Sequence, residues 1–292
     1  RAPDGNRGGP SQVPDGLAVN GAARLLACLR EEGVDTLFGY PGGAALPLYD
    51  ALVDVPGLRH VLVRHEQGAA HAADAYARAS GRVGVCMATS GPGATNLVTG
   101  LATAYMDSVP MVALTAQVAS HLLGTDAFQE VDVVGITLPV TKHSVLVRRA
   151  ADVPAALHRA FALAREGRPG PVLVDLPKDV ALAPVPDGAC RRSPSAVLPD
   201  LPMGDFEAAR RLLSGARRPV LYAGGGVVHA EAWKALRHLA RRCRIPVTTT
   251  LMALGAYPTD DPLFLGMPGM HGTRRANLAL RDADLLVAVG AR

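Results

Sequence analysis

The stretch "LVRHEQGAAHAADAYARASG", residues 62–81, passes from an apolar strand through a short charged cluster into an alanine-rich helix, and it sets one carboxylate, Glu66, at the joint. Two other joints share this layout, "GYPGGA" (39–44) and "TSGPGATN" (89–96). Their glycines let the backbone approach a ligand closely. In an open parallel sheet such joints gather at the carboxyl ends of the strands, where ligands bind. A carboxylate in that position can hold or share a proton. It can equally be a first-turn acid that complements the helix dipole, worth about 0.3–1 kcal/mol, and "SGPG" can be only a tight turn. Neither turn follows the GxGxxG or Walker pattern, so spacing alone leaves the chemistry open. His65 and His71 flank Glu66 without HExxH or triad spacing and read as structural. Further on, "YAGGGV" (222–227) lies between a strand and a helix, as a dinucleotide turn does, but lacks the full glycine spacing.

The elements that must position these joints alternate. A helix over Asn20–Glu32 with Gly33 as its stop leads into the strand "DTLFGYPGG". Then come "HVLVRH" and a helix ending at Gly81, "RVGVCMATS" and a helix from about Ala94, "VPMVALTAQ", a less regular stretch, and a helix near 152–166 before "GPVLVDLP". Strands apolar throughout, alternating with helices, predict a parallel sheet covered on both faces. Residues 181–203 carry five prolines and little periodicity, and 186–203 is read as a linker. A second α/β unit follows: a helix near 205–214, "PVLYAGGGV", a helix at 230–242, "IPVTTT" and "ADLLVAVGAR".

With 292 residues, 49% of them hydrophobic, the chain is long enough for about two domains. Aromatics are 4% against 31 glycines, which suits many strand-to-helix turns. The net charge of +4 is spread over scattered arginines. The densest groups, "RHLARRCR" (237–244) and "GARRP" (215–219), read as a solvated helix face and its end, without the stacking aromatics of a nucleic-acid binder. Cys28, Cys86, Cys190 and Cys243 form no CxxC pair, so no zinc motif or disulfide framework is legible and a reducing cytoplasm is expected. Residues 83–106 are uncharged, but "SGPG" splits them into a strand and a helix, so no membrane span is expected. Residues 1–16 read as a disordered leader, and the apolar run at the other end stops where a strand should enter its loop.

The motifs "GYPGGA", "RHEQGAAHAADAYARASG", "TSGPGATN", "AYMDSVPMVALTAQV", "DAFQEVD", "GRPGPVLVDLPKDV" and "GMHG" occur in one order and spacing that resembles the catalytic subunits of the acetolactate synthase family, enzymes dependent on thiamine diphosphate. The resemblance runs from about residue 17 to the last residue. It implies an α/β fold: a parallel-sheet pyrimidine-binding domain over 17–185, then a partial Rossmann-like FAD-binding domain over 204–292. It implies that Glu66 hydrogen-bonds N1′ of the cofactor's aminopyrimidine and so tunes a base that belongs to the cofactor. By the same resemblance Gly43, Pro92 and Asn96 would contact thiamine diphosphate, and Gln129 would be the second catalytic residue. Ala44, Pro110, Phe128 and Lys178 would line the substrate channel, with Met111 at its edge and Met106 in the core. Asp126 and Glu130 read as loop surface.

FAD, structural in this family, would be held by Arg168, Gly224, Gly225, Gly226, Thr250, Leu251, Gly269, Met270, His271, Gly290, Ala291 and Arg292. "GMHG" and "GAR" point to the FAD-containing biosynthetic enzymes over their FAD-free relatives. Pyruvate and 2-oxobutyrate would be substrates, the assembly a homodimer or larger, and a regulatory small subunit a partner. Mg²⁺ would bind the family's third domain, which is not in this chain, so the chain alone is expected not to turn over. Asp74-Ala75 stands where the family commonly has Asp-Gly, with little consequence expected on a helix. The alternatives are another thiamine-diphosphate carboligase, decarboxylase or pyruvate oxidase, or an inactive FAD-binding module.

Overall fold

A computed structural model describes residues 19–185 and 204–292, which form two compact units. The expected leader, the 186–203 linker and Cys190 lie outside the described residues.

The first unit runs α1 (Gly21–Glu31), β1 (Thr36–Gly39), α2 (Leu46–Leu52), β2 (Arg59–Leu62), α3 (Glu66–Ser80), β3 (Gly84–Ala88), α4 (Pro92–Thr95), α5 (Val98–Asp107), β4 (Met111–Gln117), α6 (Val133–Thr137), β5 (His143–Leu146), α7 (Val153–Arg165), β6 (Pro171–Pro177) and α8 (Lys178–Leu182). Local signals set several ends. Asn20 caps α1, its Oδ1 accepting from the Ala23 amide, and Gly33 beyond it takes φ +81. Gly81 closes α3 in the left-handed conformation. The uncharged run 83–106 resolves into β3, α4 and α5, and among the described residues no helix is long and apolar enough to cross a membrane.

All six strands are parallel, in the order β2-β1-β3-β4-β6-β5. Alternate strand residues feed two cores, as the two-residue period requires. Val85, Met87, Val112, Leu114, Val172 and Val174 pack with Leu25, Leu29, Leu157 and Phe161 from the layer that holds α1 and α7. Cys86, Ala88, Met111, Ala113 and Leu173 face the other way, onto Ala69, Ala70, Ala73 and Ala77 of α3 and Leu97, Leu101 and Ala104. The alanines explain how tightly that second layer sits. A Cβ on Gly84 would come within 2.1 Å of the Ala73 carbonyl, and one on Gly100 within 2.3 Å of Ala70 Cβ. Small residues let α3 lie close against the sheet and hold its first residue, Glu66, over the strand ends.

Two methionine expectations are corrected. Met106 is 58% exposed on the last turn of α5, so it is not core, and Met111 is fully buried at the start of β4, so it is no channel edge in this unit.

The second unit runs α9 (Gly204–Gly215), β7 (Pro219–Ala223), α10 (Gly225–His229), α11 (Trp233–Cys243), β8 (Val247–Thr249), β9 (Phe264–Gly266), α12 (Arg274–Asp282) and β10 (Leu285–Val289), with four parallel strands in the order β10-β7-β8-β9. Its core gathers Leu221, Val247, Tyr257 and Phe264 against Leu236 and Ala240 of α11. Arg241, Arg242 and Arg244 are exposed, as a solvated helix face requires.

Candidate active site

In the first sheet β1 lies between β2 and β3, so the chain leaves β1 toward one edge and returns from β2 to the other side. This reversal opens a crevice at the carboxyl ends of β1 and β3, the position where doubly wound sheets bind ligands. Three joints converge there. The turn after β1 meets the turn after β3, because a Cβ on Gly42 would come within 2.4 Å of Thr89 Cγ2. The first turn of α4 meets both Thr89 and the acid: a Cβ on Gly93 would be 2.7 Å from Thr89 Cγ2 and 3.2 Å from Glu66 Oε1.

Glu66 is 7% exposed. The N-cap of its helix is His65, whose Nδ1 accepts from the Gln67 amide at 3.1 Å, a structural role as expected. Asn96 Nδ2 donates to Glu66 Oε2 at 2.9 Å. Tyr49 lies near enough for the Glu66 charge, after burial, to push its phenol pKa above the ordinary value, and its hydroxyl pairs with His60 Nε2 at 3.2 Å. Asn96, Tyr49 and the Gly93 turn thus stand around the acid. Thr89 Oγ1, also buried, has no hydrogen-bond partner among the described residues.

Gln129 reaches the same crevice by its backbone. It takes φ +59, and a Cβ on Gly91 would come within 2.6 Å of the Gln129 carbonyl. The segment that carries it is tied down from below. Asp175 of β6, 1% exposed, accepts from Thr115 Oγ1 at 2.7 Å and from Gln117 Nε2 at 3.1 Å, and Gln117 Nε2 also donates to the Val131 carbonyl at 3.0 Å. Burial outweighs these hydrogen bonds and lifts the Asp175 carboxyl to about 6. Asp179 accepts from both the amide and the hydroxyl of Ser120, fixing the same segment to the end of β6.

Of the other residues nominated from the sequence, Gly43 has open space where a Cβ would stand, and Ala44 adjoins it. Pro92 is exposed at the crevice mouth, Phe128 is 87% exposed on the β4–α6 segment, and Lys178 begins α8 at the end of β6. These all belong to the carboxyl edge. Pro110 and Arg168 do not: each stands just before a strand, β4 or β6, at the amino edge. Arg168 donates to Ser108 Oγ and the Tyr105 carbonyl, both at 2.7 Å, and lies over the Tyr105 ring. Asp126 is exposed, Glu130 Oε1 accepts from the Gly124 amide, and His71 is exposed. Thr89, Tyr49 and Asp175 were not foreseen. Thr89 had a signal, since it directly precedes "SGPG"; Tyr49 and Asp175 had none beyond their place in apolar runs.

In the second unit every nominated residue falls in the four loops that leave the carboxyl ends of β7, β8, β9 and β10. Gly226 N–H donates to the Gly290 carbonyl at 2.9 Å, and a Cβ on Gly224 would come within 2.3 Å of that same oxygen, so the 224–226 and 290–292 turns interlock. Thr250 Oγ1 is buried without a hydrogen-bond partner among the described residues. Gly269, at φ +101, is clasped by Asn277, which accepts from its amide and donates to its carbonyl. Leu251 and Met270 are 66% and 92% exposed, and His271 is exposed.

Comparison with known proteins agrees with this arrangement. The family model "Thiamine pyrophosphate enzyme, N-terminal TPP binding domain" matches residues 19–136, and "Thiamine pyrophosphate enzyme, central domain" matches 206–292. The chain is 56% identical over 284 residues to a protein of Parasynechococcus marenigrum named acetolactate synthase large subunit, covering 94% of this chain and 46% of that protein. It is 54% identical to the acetolactate synthase isozyme 2 large subunit of Escherichia coli, over 94% and 50% of the two chains, and 54% identical to the acetolactate synthase large subunit of Corynebacterium glutamicum, over 97% and 46%. The chain thus spans about half the length of the curated relatives it matches. With two successive parallel-sheet units, a buried acid at the switch point of the first and both domain models matched, the chain belongs to the thiamine pyrophosphate enzyme family.

Proposed function

We propose that this chain is the pyrimidine-binding domain and much of the FAD-binding domain of an acetolactate synthase catalytic subunit, which joins the two-carbon unit left by pyruvate decarboxylation to a second 2-oxoacid, pyruvate or 2-oxobutyrate. The observation that carries the reading is the Glu66–Asn96 pair at the switch point, in a chain 54–56% identical to proteins of that name. The crevice fits thiamine diphosphate: a buried carboxylate, an unpartnered buried hydroxyl on Thr89, and glycines where any Cβ would intrude.

When bound, thiamine diphosphate supplies the nucleophilic carbon and the electron sink. Glu66 holds the proton at N1′ of the aminopyrimidine. Asn96 holds Oε2, so Oε1, beside Gly93, would be the oxygen that meets N1′. Gly42 and Gly93 let their turns close on Thr89, Gly43 leaves space open, Gln129 is set against the same turn by Gly91, and Ala44, Phe128 and Lys178 stand where the 2-oxoacid enters. In the second unit the interlocked glycine turns and the Thr250 hydroxyl suit FAD. Mg²⁺, a homodimer, a regulatory small subunit and a cytoplasmic setting follow from the same reading, with Mg²⁺ held by the family's third domain.

Product analysis tests it. A polypeptide carrying this chain with the family's third domain, given pyruvate, thiamine diphosphate, Mg²⁺ and FAD, should release acetolactate. Acetaldehyde or an acetyl product in its place would assign the crevice to a decarboxylase or oxidase.

A further inference from the structure

Away from the carboxyl-edge loops, the packing of α1 against α7 buries side chains of a different chemistry. Cys28 and Glu31 lie three residues apart, on one face of α1. His158 of α7 meets them, and the ligand atoms of the three lie within 4.8 Å of one another. Cys28 and His158 are buried, and Glu31 faces solvent. His158 Nε2 stands 3.1 Å from Glu31 Oε2. His158 Nδ1 stands 2.9 Å from Glu32 Oε1, and the other Glu32 oxygen accepts from Arg165 Nη1 at 2.9 Å.

We infer that Cys28, Glu31 and His158 form a binding site for a thiophilic divalent cation of the zinc class. Thiolate, imidazole and carboxylate are the donors such an ion takes. Two donors each about 2.0–2.1 Å from a tetrahedral ion are roughly 3.3 Å apart, and the Nε2–Oε2 separation is 3.1 Å. The surrounding residues supply the support that a metal-bound histidine needs. Glu32 accepts from Nδ1, Arg165 holds Glu32, and together they fix the tautomer and aim Nε2 at the ion. Arg24 pairs with Glu31 Oε1 at 3.1 Å, which leaves Oε2 for coordination. The exposed Glu31 side provides the entry path and a fourth position for water. Binding transfers the Cys28 thiol proton to solvent, so uptake releases at least one proton and strengthens as pH rises. The ion staples α1 to α7 and acts on stability, not on the crevice.

The test is titration of the reduced chain, carrying Cys190→Ser and Cys243→Ser, with Co²⁺ and then Zn²⁺. One Co²⁺ should bind with a thiolate-to-cobalt charge-transfer band that Zn²⁺ abolishes, and Zn²⁺ should raise Tm in a way a chelator reverses. Cys28→Ser and His158→Gln, with folding confirmed by circular dichroism, should each remove the band, and Glu32→Gln should weaken affinity about 10–100-fold. If either ligand variant fails to fold, the band and the chelator-reversible Tm shift of the parental chain decide the matter. No thiolate band in the folded parental chain, or a band that survives Cys28→Ser, overturns the site and leaves His158 as an ion-pair partner of the two glutamates.

Discussion

Asn96 and Glu66, thirty residues apart, meet at 2.9 Å across the gap between the turn after β3 and the start of α3. A carboxylate so buried needs a donor, since leaving one unmet costs more than the bond gains. Asn96 supplies it on Oε2 and so determines which oxygen stays available to a ligand.

Replacing Asn96 by Ala should therefore weaken thiamine diphosphate binding. A hydrogen bond to a charged group contributes about 1.5–3 kcal/mol, which corresponds to roughly 10–100-fold in affinity. Cofactor titration followed by fluorescence checks this, and Asn96→Asp, which sets a second acid against Glu66, should bind no better.

The two glycines of "GYPGGA" should separate packing from ligand space. Gly42→Ala drives a methyl into Thr89 and should cost about 1–3 kcal/mol of stability. Gly43→Ala meets nothing within 4 Å, so stability should stay within about 0.5 kcal/mol while 2-oxoacid turnover falls in a polypeptide that also carries the family's third domain. Urea unfolding and steady-state kinetics of the pair distinguish the two effects.

Asp175 should make stability depend on pH. Its carboxyl lies at about 6 in the folded chain against an ordinary 3.8, so the folded state holds the proton more tightly. The folded state thus gains from Asp175 at low pH and loses that gain as pH rises from about 4 to about 6, by an amount on the order of 3 kcal/mol. Asp175→Asn should flatten unfolding free energy across that window. Because Asp175 also holds Gln117, which holds the Val131 carbonyl, the variant should loosen the segment bearing Gln129, seen as faster amide exchange over 118–132.

Much of this was legible in the sequence because it is local. Asn20, Gly33 and Gly81 mark helix ends by their own chemistry, and the fully apolar strands announce a sheet covered on both faces. What escaped depends on distant contacts. The helix expected from about Ala94 is two pieces, α4 and α5, with Asn96 in the break and turned to Glu66. The strand β5 is short and part-exposed at the sheet edge, so it offers no apolar run. Met106 sits on the exposed side of α5, which periodicity over so few residues does not fix, whereas Met111 is buried because both faces of β4 are covered. The unpartnered Thr89 hydroxyl and the Asp175 network exist only once β3, β4 and β6 are side by side.

The role proposed for Glu66 is to manage a proton for a bound heterocycle. Its most direct test is Glu66→Gln in a polypeptide that also carries the family's third domain, with acetolactate formation from pyruvate measured at saturating thiamine diphosphate. A loss of roughly 10²–10⁴-fold with the fold intact is expected; a rate equal to that of the unaltered protein would overturn the role proposed for Glu66.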